Sequence, residues 1–150
     1  MGQAMSQEAN LFSAEQWAWY RDVVINSDST DAVRPLLDEI LNTLMNNGWE
    51  NKLVFGIHLS MEEALVNAVK HGNKYNPAKK VHVRVGISSN LFRSEITDEG
   101  EGFDPAKLPD PTDPDYLDKP NGRGVMLMRN FMTRVVYNDC GNAVFMEKVR

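Results

Sequence analysis

Ser60-Met61-Glu62-Glu63-Ala64-Leu65-Val66-Asn67-Ala68-Val69-Lys70-His71-Gly72 is the stretch that decides how this chain is read. Apolar residues recur through it at helical intervals, and Gly72, Asn73 and Pro77 stop it, so the spacing predicts a helix from about Asn51 to Lys70. Wound at roughly 100° per residue, Glu63, Asn67 and His71 fall within a stripe about 80° wide, which also holds Gly56 and Ser60. Ile57, Met61, Ala64, Leu65 and Ala68 border the stripe on one side, and Phe55, Leu59 and Val66 on the other. A solvated face would be broad and flanked by charge. This one is narrow, polar and bordered by hydrophobes, so it is expected to look into a cleft.

A carboxylate beside an apolar cleft can hold and deprotonate a hydroxyl or a water, which makes Glu63 a candidate general base. The carbonyl of Asn67 is a hard, neutral oxygen suited to Mg²⁺, an ion that keeps waters and phosphate oxygens as its other ligands. The same two residues also read as a tolerated polar pair at i,i+4. Lys70 lies to one side of the stripe, where it can reach a phosphate or sit in solvent near the helix end. His71 is expected to cap the last turn or pack at the cleft rim. His58 and His82 have no metal-ligand spacing with it, and no chemistry is assigned to them.

Two glycine elements follow. Asp98-Glu99-Gly100-Glu101-Gly102 comes directly after a predicted strand. A strand-end carboxylate accepts an N–H strongly, as from the exocyclic amine of adenine, and spaced glycines let backbone approach a flat base. Turns use the same residues, so the element alone is a weak signal. Asn121-Gly122-Arg123-Gly124 opens a predicted helix. Backbone N–H groups there can bind phosphate and Arg123 can add a charged fork, although a plain hinge reads the same way. Order makes the set more specific than its members: carboxylate–amide helix, Asp-x-Gly-x-Gly on a strand, then Gly-x-Gly on a helix.

The rest of the chain frames these elements. Trp17 to Asn26 reads as a strand. Ser27-Asp28-Ser29-Thr30-Asp31 offers N-caps for a helix from Ala32 to about Met45, and Pro35 falls in its first turn. Val81, Val83, Val85 and Ile87 alternate through a strand at Lys80–Ser88, which turns at Asn90 into a second strand at Leu91–Thr97. Five of the seven prolines and eight of the 21 acidic residues lie between Asp98 and Pro120, so that stretch reads as a long loop. A short helix at Gly124–Phe131 and a hairpin of Arg134–Asn138 with Ala143–Val149 close the chain. The expected fold is α+β: a two-layer α/β sandwich with helices on one face of a mixed, mostly antiparallel sheet. Residues 16–150 make one domain, and residues 1–15 read as a loose leader. Met1-Gly2-Gln3-Ala4-Met5-Ser6 matches a short myristoylation pattern but lacks polybasic support.

Bulk properties narrow the function. The net charge of −5 and the lack of a basic stripe argue against a nucleic-acid binder. The same charge means that an anionic nucleotide must be captured by local positive features. No apolar run approaches the roughly 20 residues that span a bilayer, so no membrane segment is expected. A single cysteine, Cys140, cannot close an internal disulfide, which makes a reducing cytoplasm the default location.

With these residues in hand, the chain resembles the GHKL ATPase superfamily, and within it the anti-sigma-factor serine kinases of the RsbW and SpoIIAB type. Glu63-Ala64-Leu65-Val66-Asn67-Ala68…His71-Gly72 looks like their N box, Asp98-Glu99-Gly100-Glu101-Gly102 like the G1 box, and Gly122-Arg123-Gly124 like the G2 box. The likeness continues through Val125-Met126-Leu127-Met128-Arg129-Asn130-Phe131-Met132 and covers residues 17–150. The resemblance implies a Bergerat-type sandwich holding ATP and Mg²⁺, with Asn67 on the metal and Asp98 on the adenine amine. It implies that Gly100 and Gly102 line the base, that Gly122, Arg123 and Gly124 meet the phosphates, and that residues 103–121 form a lid. It also implies that Glu63 is the base for phosphoryl transfer to a serine of a STAS-domain antagonist. The expectation is therefore a cytoplasmic, homodimeric ATP-binding serine kinase that regulates a sigma factor. A non-catalytic binding module switched by ATP and ADP, and a stand-alone ATPase, are the alternatives.

Overall fold

The structure, a computed structural model, describes Phe12, residues 16–102 and residues 120–150, with the backbone alone at 120–123. Residues 103–119 of the expected lid and the Arg123 side chain lie outside the described residues.

The elements run β1 (Trp19–Asn26), α1 (Val33–Asn46), α2 (Asn51–Asn67), a π-helical turn (Ala68–Gly72), β2 (Lys80–Ile87), β3 (Leu91–Thr97), α3 (Pro120–Phe131), β4 (Arg134–Tyr137) and β5 (Ala143–Val149). The strands form one sheet in the order β1-β2-β3-β5-β4. Every described pair is antiparallel, so the sheet lies at the antiparallel end of the expected range. β3 pairs with β5 and not with β4, which puts the Asp98 end of β3 beside the Ala143 end of β5.

The alternation of β2 has the consequence its pattern predicts. Val81, Val83, Val85 and Ile87 are all 0% exposed and face the helices. Register carries Ile96 and Phe92 of β3 onto the same face. Helix α1 adds Val33, Leu36, Leu37, Ile40 and Leu44, and α2 adds Ile57, Met61, Ala64 and Leu65. Removing each large aliphatic side chain from water contributes about 1.5–3 kcal/mol, and this layer holds helices and sheet together. Phe55 departs from expectation: it is exposed and meets Phe131 edge-on, so its flank of the polar stripe is only partly core, through Val66.

Helix ends differ from the sequence reading in two places. None of Ser27 to Asp31 caps α1; Ala32 is the N-cap, without a side-chain bond, and the first-turn N–H of Val33 reaches the Thr30 carbonyl at 3.1 Å. Helix α3 begins at Pro120, four positions before the expected Gly124. A proline suits a first helical position, because its missing N–H would be unsatisfied there in any case. Gly122 and Gly124 therefore lie within α3 and not ahead of it.

The face of the sheet away from the helices has its own cluster. Phe12, within the expected leader, is 6% exposed and packs near Trp17, Tyr20 and Phe145, with ring centroids 6.1–6.3 Å apart. Trp17 lies across Gly86, and Arg84 stacks over Phe12 at 4.5 Å while pairing with Glu95 at 2.7 Å. Replacing Phe12 with alanine is expected to lower unfolding free energy by about 3 kcal/mol, since a packed ring is lost. Urea denaturation followed by tryptophan fluorescence reads this; a loss below about 1 kcal/mol removes Phe12 from the fold's support.

Candidate functional site

Helix α2 carries the polar stripe. Its upper part is packed: Ser60 is fully buried, and Gly56 gives room to the Phe131 ring, which a Cβ there would meet at 2.9 Å. Its lower part is half-buried and polar. The Asn67 amide donates to Glu63 Oε1 at 3.3 Å, a link across one helical turn. The bond uses the amide nitrogen; among the described residues none donates to the Asn67 carbonyl oxygen. Gly124 of α3 sits against both residues, since a Cβ there would lie 2.5 Å from Glu63 Oε1 and 3.0 Å from Asn67 Nδ2. The second glycine element thus meets the carboxylate–amide pair, as the combined motif requires.

Directly after Asn67 the helix widens into the π turn, closed by the Asn73 N–H on the Ala68 carbonyl at 2.8 Å. Wide turns of this kind recur at functional sites. His71, in that turn, lines a cleft with Asn67 and Asp98. Burial lowers its pKa, the Lys70 charge lowers it further, and the Glu63 carboxylate opposes both. The balance favours the uncharged imidazole. Lys70 itself is exposed and is not among the described residues that line the cleft.

Asp98 forms another wall. Its N–H donates to the Asn142 carbonyl at 2.9 Å, and Asn142 Nδ2 reaches the Asp98 carbonyl at 3.3 Å. The Gly100 N–H donates to Asp98 Oδ1 at 2.8 Å, which leaves the second oxygen able to accept from a ligand. Burial raises the Asp98 pKa, and the Gly100 bond and the Lys79 charge work against that rise. Gly72 abuts the Asp98 carboxylate and Gly100 abuts the Gly72 carbonyl, so side chains at these positions would displace the wall. Gly102 adopts φ +75°, open to glycine but strained for other residues, against the Cys140 carbonyl.

The cleft measures ≈ 120 Å³. An apolar cavity of about 150 Å³ takes up benzene, so this space is of the scale of one flat ring system and not of a whole nucleotide. Its lining includes Tyr137, Gly141 and Asn142 of the β4–β5 hairpin, three residues to which the sequence reading gave no role. Burial raises the Tyr137 pKa well above its usual value, with Arg129 opposing, so its hydroxyl stays protonated. Asn138 braces this hairpin, accepting the Asn142 N–H at 3.0 Å and the Ala143 N–H at 3.1 Å. Asparagines in a turn look like punctuation in sequence, so nothing there marked them as cleft-forming.

Among the described residues no group of three His, Cys, Asp or Glu could hold an ion. A divalent cation would rest on the Asn67 oxygen with the ligand's own oxygens and water, which is how Mg²⁺ is usually held. No described helix is long and apolar enough to cross a membrane.

Comparison with known proteins agrees with this geometry. Residues 26–148 match the histidine kinase-like ATPase domain family. A serine/threonine-protein kinase, BtrW, of Bordetella bronchiseptica is 30% identical over 95 residues, covering 62% of this chain and 67% of that protein. An anti-sigma F factor of Halalkalibacterium halodurans is 33% identical over 95 residues, covering 59% and 64%. The serine-protein kinase RsbW of Oceanobacillus iheyensis is 27% identical over 108 residues, covering 67% and 68%. The matches thus span about two thirds of each relative. A family match across most of the chain, over a fold of helices packed on one antiparallel sheet, places it: the chain belongs to the histidine kinase-like ATPase domain family.

Proposed function

We propose that this chain is an anti-sigma-type protein serine kinase that binds Mg-ATP and phosphorylates a serine of a small STAS-domain antagonist, thereby regulating a sigma factor. The observation that carries the reading is the Glu63–Asn67 pair, bonded at 3.3 Å, beside a base-sized cleft that Asn67 shares with Asp98. Relatives named as serine kinases and as anti-sigma F factors support the same class. The resemblance to anti-sigma kinases further suggests a cytoplasmic homodimer, which light scattering on the purified chain would test.

The roles follow from chemistry. Asp98 accepts the adenine amine, and the backbone at Gly100 and Gly102 lies along the base. Asn67 would hold Mg²⁺ through its carbonyl, while Gly122, Arg123 and Gly124 would meet the phosphates. When bound, the metal neutralises charge on the β- and γ-phosphates. Glu63 takes the proton of the acceptor serine as that oxygen bonds to the γ-phosphorus. The bond from the γ-phosphorus to the bridging oxygen breaks and ADP leaves with the electron pair. Incubation with γ-labelled ATP, magnesium and a cognate STAS protein should label a serine. Tight ATP binding without label would favour the binding-module alternative.

The Asp98 environment gives a pH signature. Burial raises its pKa, so between the ordinary carboxylate value and the raised one the folded protein keeps a proton that the unfolded chain has lost. In that window its contribution to the stability of the ligand-free protein falls as pH rises. A bound adenine amine favours the ionised form, so ATP affinity should rise with pH across the same window. Asp98→Asn is expected to weaken ATP about tenfold and to flatten this dependence, as calorimetry at several pH values upward from the ordinary carboxylate pKa would show. An equally steep profile in the variant would remove Asp98 from base recognition.

A further inference from the structure

We infer that Asn73 is the positioning residue for base recognition: its buried carboxamide fixes the turn that aims Asp98, an inference that rests on the nucleotide reading above. Asn73 is 1% exposed. Its Oδ1 accepts the Glu99 N–H at 2.8 Å, immediately after Asp98. Its Nδ2 donates to Ser27 Oγ at 2.7 Å and to the Lys80 carbonyl at 3.0 Å. One amide therefore ties the end of β1, the start of β2 and the turn after β3, with both amide donors and its carbonyl engaged. Ser27 is buried as well, and its hydroxyl donates to the Lys79 carbonyl at 2.8 Å. A polar network satisfied at every member is rigid, because each lost bond would leave a buried group without a partner.

Two further features brace the segment that carries Asn73 and press it against Asp98. The Asn73 N–H closes the π turn, and the next two residues, Lys74 and Tyr75, hold φ 53° and 58°. Residues other than glycine persist in that region only where the surroundings over-determine them, and such strain clusters at functional sites. On the same side, Gly72 abuts the Asp98 carboxylate and its carbonyl abuts Gly100. The Glu99 carboxylate returns to the Lys80 N–H at 2.7 Å, closing a ring of contacts around Asp98. Asn142 holds the Asp98 backbone from the strand side, and Asn73 holds its neighbour from the helix side. A shift at the Glu99 N–H would swing the carboxylate away from the base while leaving the phosphate end untouched.

Base discrimination tests this more sharply than affinity. Inosine triphosphate carries a carbonyl where ATP carries the amine, so an aimed carboxylate rejects it. Asn73→Ala is expected to lower the ratio of ATP to inosine triphosphate affinity about tenfold, with affinity for free triphosphate unchanged. Ser27→Ala, which removes one anchor, should lower the ratio about threefold and serves if the first variant does not fold. A purely structural role would weaken both nucleotides alike, and a ratio within about twofold of the parent in the folded variants overturns the inference. Asp98→Asn separates the two levels. If it keeps the parent ratio, the base reading itself fails; if it loses the ratio while Asn73→Ala retains it, only the role of Asn73 fails.

Discussion

Asn67→Ala is expected to reduce ATP affinity in magnesium by about 100-fold and to abolish the difference between magnesium and chelator. Asn67 supplies the oxygen proposed for the metal, and among the described residues no group of three His, Cys, Asp or Glu offers an alternative site. Mg²⁺ sheds water reluctantly and takes few protein ligands, so a single lost oxygen is a large fraction of its protein coordination. The variant should fold: Asn67 is half-buried at the end of α2, and alanine is a good helix former. Calorimetric titration with ATP, once in magnesium and once in chelator, gives the answer. Equal affinities for parent and variant in magnesium would take the metal away from Asn67. Asn67→Asp is a useful companion, because it keeps an oxygen but sets a second carboxylate beside Glu63. It should bind Mg-ATP with intermediate affinity and gain more than the parent as magnesium rises.

The parts of this fold that can be read from sequence are those whose pattern is local. The four alternating residues of β2 announce both a strand and its buried face, and all four are fully buried. The stripe through Glu63, Asn67 and His71 is legible for the same reason, because one helix fixes its own geometry. The π turn is not legible, since one turn of wider winding shifts too few residues to break a helical period. Asn73 was readable only as a helix stop; its three bonds span 7 to 46 positions of sequence. The outer-face cluster hides differently. Arg84, Glu95, Arg93 and Glu147 look like a solvated face in sequence, yet the two ion pairs at 2.7 and 2.6 Å lie beside stacked aromatic rings. The order β3-β5-β4 also follows from packing alone, and it is this order that brings Asn142 to Asp98.

Glu63→Gln is expected to leave ATP affinity within about threefold while lowering phosphoryl transfer by about 10²–10⁴, the range a general base contributes. The substitution preserves shape, and a glutamine oxygen can still accept the Asn67 amide that now bonds Oε1 at 3.3 Å. Packing against Gly124 is preserved too, so a fall in rate cannot be traced to a displaced α3. What disappears is the basic oxygen, and with it the negative charge that opposes the lowering of the His71 pKa. Two measurements separate the readings: transfer of labelled phosphate to the STAS serine at saturating Mg-ATP, and nucleotide affinity by titration. A variant that binds and transfers like the parent would mean that positioning and metal charge suffice, as they do in much phosphoryl transfer, and that Glu63 only orients Asn67. A variant that loses both would instead make Glu63 part of the metal site. Binding kept and transfer lost is the single outcome that makes the carboxylate the base, because only then does the chemical step need a group that ground-state binding does not.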